Sequence, residues 1–199
     1  MGAPDTKERI LAAAKDLFLS QGYSGTTVDA ICEQAQLTKG SFYYFFKSKE
    51  DLGLAVVQWT VVRGQGLLTD GPYTEISEPI DRAFAFLEHL EKCAPQLWSS
   101  GCLLGTFAAE LAESNSRVQK AVSTMFQAVA DHLAQELQPI AARANKGRRV
   151  RASELADTLL GTIEGSIILA KAHRDPTRLT RAIRRFRASM GELIGLATK

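Results

Sequence analysis

Apolar positions recur three and four apart along almost the whole chain, and no run alternates strictly between turn signals, so the pattern predicts helices rather than strands. Asp5 and Glu8 stand as a capping pair before a first helix that gathers Ile10, Ala14, Leu17 and Phe18 on one face and stops at Gly22. Thr26, followed three residues later by Asp29, predicts the cap of a second short helix with Val28, Ile31 and Ala35 inward. A turn at Gln36-Leu37 leads to Thr38, the predicted cap of a third helix that runs through Phe46. Ser48, with Asp51 three positions on, opens a fourth. Four capped starts so close together describe a bundle of short helices.

Beyond this bundle the helices lengthen. The fourth is expected to reach Leu68, where Thr69-Asp-Gly-Pro-Tyr73 breaks it. A fifth should run from Ser77-Glu-Pro to Ala94-Pro95, and a sixth from Ser99–Gly101 to Glu113. A seventh follows the Ser114-Asn115-Ser116 break, with Pro139 expected to kink or end it. The last two are expected over Ser153 to His173 and Thr177 to Ala197. The fold class is therefore all-α, about nine helices. The pattern separates a bundle of short helices over residues 5–65 from a set of longer helices over 66–199.

Charge adds detail that the net value of +2 conceals. Residues 1–52 carry six Lys/Arg against seven Asp/Glu, yet Gln36 to Lys49 holds Lys39, Lys47 and Lys49 with no acid. Residues 143–187 carry twelve cations against four acids, including Arg148, Arg149 and Arg151. Such a tract can touch nucleic acid, a membrane surface or water, and around Arg148, Arg149 and Arg151 it is read as a solvated loop between helices seven and eight. The longest apolar stretch, Leu159 to Ala170, is interrupted by Glu164 and is too short to span a bilayer, so no membrane role is expected. Three cysteines are too few and too scattered for a disulfide framework, which points to the cytoplasm. No phosphate loop, nucleophile elbow or carboxylate–histidine constellation appears, so neither catalysis nor a cofactor is expected.

The segment that carries chemistry is Thr26 to Leu52. Two short helices across a tight turn make a helix-turn-helix, whose second helix enters the major groove of double-stranded DNA. Thr38, Lys39 and Ser41 place short donors and a cation at that helix start. Gly40 lets backbone approach phosphate there. Phe42 and Phe46, four apart, should anchor the helix, which turns Tyr43 and Tyr44 outward. A helix this short cannot bury all five adjacent aromatics.

Residues 5 to about 56 resemble the TetR/AcrR family of bacterial regulators. The likeness runs from Thr6-Lys-Glu-Arg-Ile-Leu through Phe18, Gly22, Thr26-Thr27 and Ile31 to Leu37-Thr-Lys-Gly-Ser-Phe-Tyr-Tyr and Phe46-Lys-Ser-Lys-Glu-Asp-Leu52. The resemblance implies a homodimer on a pseudo-palindromic operator, with phosphate contacts from Thr26, Thr27, Lys47 and Lys49. Base contacts would come from the helix starting at Thr38. Two departures stand out: Phe45 where the family often has His, and Gln36 where it commonly has Gly, which predicts strained backbone or an altered turn.

The resemblance also implies an effector pocket between C-terminal helices. The candidate residues are Trp59, Phe84, His89, Trp98, Phe107, Phe126 and Glu164, the last a carboxylate amid isoleucines. Cys102 is expected in the first turn of the sixth helix, whose dipole favours thiolate. Gly101-Cys-Leu-Leu to Ala109-Glu-Leu-Ala112 resembles a subgroup with thiol sensors of electrophiles, in which Lys171 would lie near the thiol. His89 and Cys93 have a spacing metals use, but without a third ligand no metal site is assigned. Leu155, Leu159, Thr162 and Ser166 form one stripe and Ile183, Phe186 and Met190 another, suited either to a core or to a dimer interface. The competing reading is a helical adaptor that binds an acidic partner through the Arg-rich region.

Overall fold

Helix starts in this protein are set mainly by side chains that accept from otherwise unpaired backbone N–H groups. The computed structural model describes residues 5–144 and 150–196. Among the described residues there are nine α-helices and no strand: α1 Thr6–Gly25, α2 Val28–Gln34, α3 Lys39–Phe45, α4 Lys49–Thr69, α5 Pro79–Trp98, α6 Leu103–Leu111, α7 Ser116–Ala144, α8 Ala152–His173 and α9 Thr177–Leu193. A short 3-10 turn, Pro72–Glu75, lies between α4 and α5.

Thr38 and Ser48 cap as expected, accepting from the N–H groups of Ser41 and Asp51 at 3.2 and 3.0 Å. Other boundaries move. The Asp5 side chain makes no capping bond, and Thr27 rather than Thr26 caps α2 by accepting from Ala30 N–H at 3.1 Å. The Glu78 carboxylate caps α5 through Ile80 and Asp81, one residue after the expected Ser77. Cys102 is the cap of α6 rather than part of its first turn. Neither Pro95 nor Pro139 ends its helix. Each is flanked by fully buried apolar residues, Ala94 for the first and Leu137 and Ile140 for the second, and this packing outweighs one lost ladder bond. α9 ends at Leu193 because Gly195 turns to φ +74° and Leu196 N–H bonds back to Gly191. The expected end at Ala197 lies outside the described residues.

The chain forms two packing units. One takes in the chain up to Arg63 together with Ser100–Phe126, the other Gly64–Ser99 together with the chain from Gln127 onward. The first unit therefore includes α6 and the start of α7, beyond the 5–65 division suggested by motif. Its core joins Ile10, Phe18, Ile31, Phe42, Leu52 and Val56 to Leu103, Phe107 and Val118. Phe107 is fully buried, with its ring 5.4 Å from Phe18 and 5.2 Å from Tyr23. This corrects its expected place in a ligand pocket: it is core.

In the second unit α9 packs on both α5 and α8, and the 3-10 turn packs on α5. Tyr73 of that turn is buried against Phe86 and donates its hydroxyl to Leu68 O at 2.8 Å. Burial, and secondarily the charge of Glu136, push that phenol up to about 12, so it stays a donor. Leu155, Leu159, Ser166, Ile183, Phe186 and Met190 are all buried within the single chain. Thr162 is half-buried. The stripes expected from sequence are thus internal core, because α8 and α9 pack on each other and α9 packs on α5 as well.

The turn between α2 and α3 holds the strain that the sequence foreshadowed. Gln36 adopts φ +54°, a region costly for any residue with a Cβ. The Arg9 guanidinium of α1 grips this turn, donating to Ala35 O at 2.5 Å and Gln36 O at 3.3 Å. Both acceptors are backbone, so replacing the Gln36 side chain leaves the grip intact. Gln36→Gly is expected to stabilise the protein by about 0.5–1 kcal/mol, the relieved left-handed strain less the extra entropy of glycine. Urea unfolding reads this as a higher midpoint at unchanged slope; a lower midpoint would refute strain at this position.

Candidate nucleic-acid interface

α3 is too short to hold itself in place and is fixed by two side chains on one face. Phe42 is fully buried and Phe46, the residue that ends the helix, nearly so. The same geometry forces the intervening residues out: Tyr43 is 56% and Tyr44 83% exposed. Thr38, Lys39 and Gly40 are exposed as well, and Ser41 is half-buried with its hydroxyl 3.1 Å from that of Thr38. The surface of α3 thus offers hydroxyls, one cation and an aromatic pair. Lys39 Nζ sits 2.6 Å from Asp29 of α2, an exposed ion pair of little net worth that a phosphate or base edge can replace. Phe45, where the family often has His, packs its half-buried ring 4.9 Å from Tyr44.

Of the four residues expected to meet phosphate, Thr27 and Lys47 are exposed and two are not presented outward. Thr26 is fully buried, and its hydroxyl donates to Gly22 O at 2.7 Å. Lys49 turns inward. Its ammonium donates to Tyr23 O at 3.0 Å and Thr26 O at 2.9 Å, and lies 4.3 Å above the Tyr23 ring. Burial of this group pulls its pKa below the usual lysine range. Both residues therefore hold the α1–α2 segment from inside, because its turn leaves backbone carbonyls that need donors.

Sequence reasoning missed the residue on the other side of that segment. Glu110 of α6 accepts from Tyr23 N–H at 3.0 Å and from Ser24 N–H at 2.9 Å. The approach is possible because residue 22 is glycine at φ +81°: a Cβ there would lie 2.5 Å from Glu110 Oε1. A lone carboxylate among the apolar residues of α6 was the available signal, but its partners, 86 and 87 positions away, were not readable.

The residues expected to bind an effector divide between the units. Trp59, Cys102, Phe107 and Phe126 belong to the first, and Phe84, His89, Trp98, Glu164 and Lys171 to the second. Trp59 is half-buried with the Arg63 guanidinium 4.7 Å from its ring centre. Cys102 Sγ accepts from Gly105 N–H at 3.5 Å. Lys171 is exposed and Glu164 half-buried. His89 Nε2 lies 2.7 Å from Leu67 O, so that nitrogen carries the proton, with Cys93 Sγ 3.5 Å away. The second unit also contains a pair not singled out beforehand. His132 Nε2 and Glu136 Oε2, one turn apart on α7, are buried without hydrogen-bond partners among the described residues. They face Phe86, whose ring lies 5.9 Å from His132, and Arg82, whose Nε is 3.9 Å from Glu136.

A short helix anchored by two aromatics and presenting its polar side after a tight turn defines a helix-turn-helix DNA-binding regulator. Residues 10–56 match the family described as bacterial regulatory proteins, tetR family, and residues 79–185 match the C-terminal domain of LmrA/YxaF-like transcriptional regulators. The chain belongs to the TetR family of transcriptional regulators. It is 28% identical over 183 residues to the HTH-type transcriptional regulator LmrA of Bacillus subtilis, covering 90% of this chain and 93% of that one. It is 28% identical over 135 residues to the HTH-type transcriptional repressor NemR of Escherichia coli, covering 67% and 68%. A TetR regulator of known structure from Legionella pneumophila superposes with a TM-score of 0.77 at 25% identity, over 95% of this chain and 99% of its own. Members of this family regulate transcription and are not enzymes.

Proposed function

We propose that the protein is a cytoplasmic, homodimeric repressor that reads a pseudo-palindromic operator through α3 and releases it on binding a small molecule. The observation that carries this reading is the outward display of Tyr43 and Tyr44 between buried Phe42 and Phe46. Thr38, Lys39, Ser41, Tyr43 and Tyr44 meet the major groove, and Thr27, Lys47 and the Gly40 backbone meet phosphate. Thr26 and Lys49 drop out of the contact set because their polar groups are engaged inside. The adaptor reading loses support from the Arg-rich region: Arg181, Arg184 and Arg187 pair with Asp175, Glu91 and Glu88 of the chain itself. Arg148 and Arg149 lie outside the described residues.

Dimerisation is assigned to the outer face of α8. Ile168 and Leu169 are 66% and 48% exposed, and added Cβ atoms at Gly161 and Gly165 would meet nothing within 4 Å. Small residues beside apolar ones allow a second helix to approach closely, and two reading heads can then meet half-sites about 34–36 Å apart. The effector is assigned to the second unit at His132 and Glu136, whose buried polar atoms would gain partners from a bound molecule. A second entry for the signal is Cys102, whose sulfur serves as a helix cap that alkylation would disable.

Duplexes selected from a random pool by the intact protein test the reading. Tyr43→Ala is expected to erase sequence preference at one or two positions. Lys47→Ala should weaken all duplexes alike and reduce the salt slope by about one counterion. If neither substitution alters retention, α3 is not the reader. Gly165→Arg is expected to give a monomer in sedimentation with unchanged helix content; a persistent dimer would place the interface elsewhere. Treatment with N-ethylmaleimide should release DNA from the intact protein but not from Cys102→Ser, and equal release from both would exclude this thiol.

A further inference from the structure

Four backbone groups of the α1–α2 segment are engaged by side chains from two other helices. Glu110 of α6 takes the N–H groups of Tyr23 and Ser24, while Lys49 of α4 donates to the carbonyls of Tyr23 and Thr26. Tyr23 is held at both its N–H and its C=O. The segment has little regular structure of its own here: Gly22 leaves the helical region, and Thr26 and Thr27 are extended. Its course is set by the carboxylate and the ammonium together with the local bond from the Thr26 hydroxyl to Gly22 O. Thr27, which follows directly, caps α2 and is exposed toward the proposed phosphate contact. The hydrogen bonds of Glu110 go to Tyr23 and Ser24, neither of which is proposed to touch DNA.

We infer that Glu110 is a positioning residue for operator binding: with Lys49 it fixes the backbone that presents Thr27 and the start of α2, so affinity for DNA depends on a carboxylate carried by α6. The inference rests on the operator-reading assignment above and deepens it. Charge-assisted bonds to N–H are stronger than neutral ones, and both carboxylate oxygens are used, so the geometry discriminates among replacements. Glutamine keeps one oxygen but turns an amide nitrogen toward the second N–H. Alanine removes both acceptors. Because Glu110 meets no phosphate, its loss changes how well the contacts are placed rather than how many cations take part.

The test uses the full chain and the duplex selected by the intact protein, well below the unfolding temperature of each variant. Glu110→Ala is expected to weaken retention by about tenfold or more and Glu110→Gln by less, both with the salt slope of the intact protein, since no cation is withdrawn. Lys47→Ala provides the contrast, a reduced slope. Amide exchange followed by NMR supplies a readout independent of DNA: Tyr23 and Ser24 should exchange faster in Glu110→Ala, with core amides of α5 and α9 unchanged. Unaltered exchange at these two amides overturns the inference whatever DNA does. Faster exchange with unaltered retention overturns it too, leaving a local bond without effect on reading. If the intact protein selects no duplex, the operator assignment fails, and this inference, which presupposes it, falls with it, even where exchange reports that the bonds exist.

Discussion

Burial of Phe42 is the constraint on which the reading surface depends. A seven-residue helix is marginal by itself, and α3 persists because this ring and that of Phe46 are packed among residues from α1, α2 and α4. Once those two positions point inward, helical geometry leaves Tyr43 and Tyr44 no interior site. Their exposure follows from packing, and the polar start of the helix follows from the Thr38 cap. The reading face is thus a by-product of how the first unit fills its core.

Cations divide into those that face solvent and those that serve the backbone. Lys47 is exposed, whereas Lys49 and Arg9 each donate to two main-chain carbonyls, the former at the α1–α2 segment and the latter at the α2–α3 turn. Both turns of the helix-turn-helix unit are therefore held by side chains from α1 or α4. This explains how a domain with near-balanced charge can be a DNA reader: several of its cations organise the motif and few remain to meet phosphate.

Much of this fold was legible in the chain because helices announce themselves through period and caps. Thr38, Ser48, Phe42 and Phe46 behave as their spacing implies, and the strained turn at Gln36 follows from a missing glycine. Errors cluster where tertiary packing decides. Pro95 and Pro139 sit inside helices that their neighbours hold together, and Thr27 rather than Thr26 becomes the cap once Thr26 is buried. Periodicity located the stripes of α8 and α9 but could not say that they would be filled within one chain. Phe107 looked like pocket lining because a buried aromatic and a ligand-facing one share the same pattern. Glu110 and Arg9 were unreadable for a different reason: their partners are main-chain atoms, which have no sequence signature.

That last point bears on how the segment could vary by drift. Glu110 grasps peptide groups rather than side chains, so the identities at 23 and 24 matter little to its hold, although Tyr23 also supplies a ring beneath Lys49. Position 22 has no such latitude, since both its torsion and the nearby oxygen exclude a methyl group. A chain descended from this one could exchange its serine at 24 freely, yet would keep its glycine as long as it keeps this turn, and its acid only with that glycine.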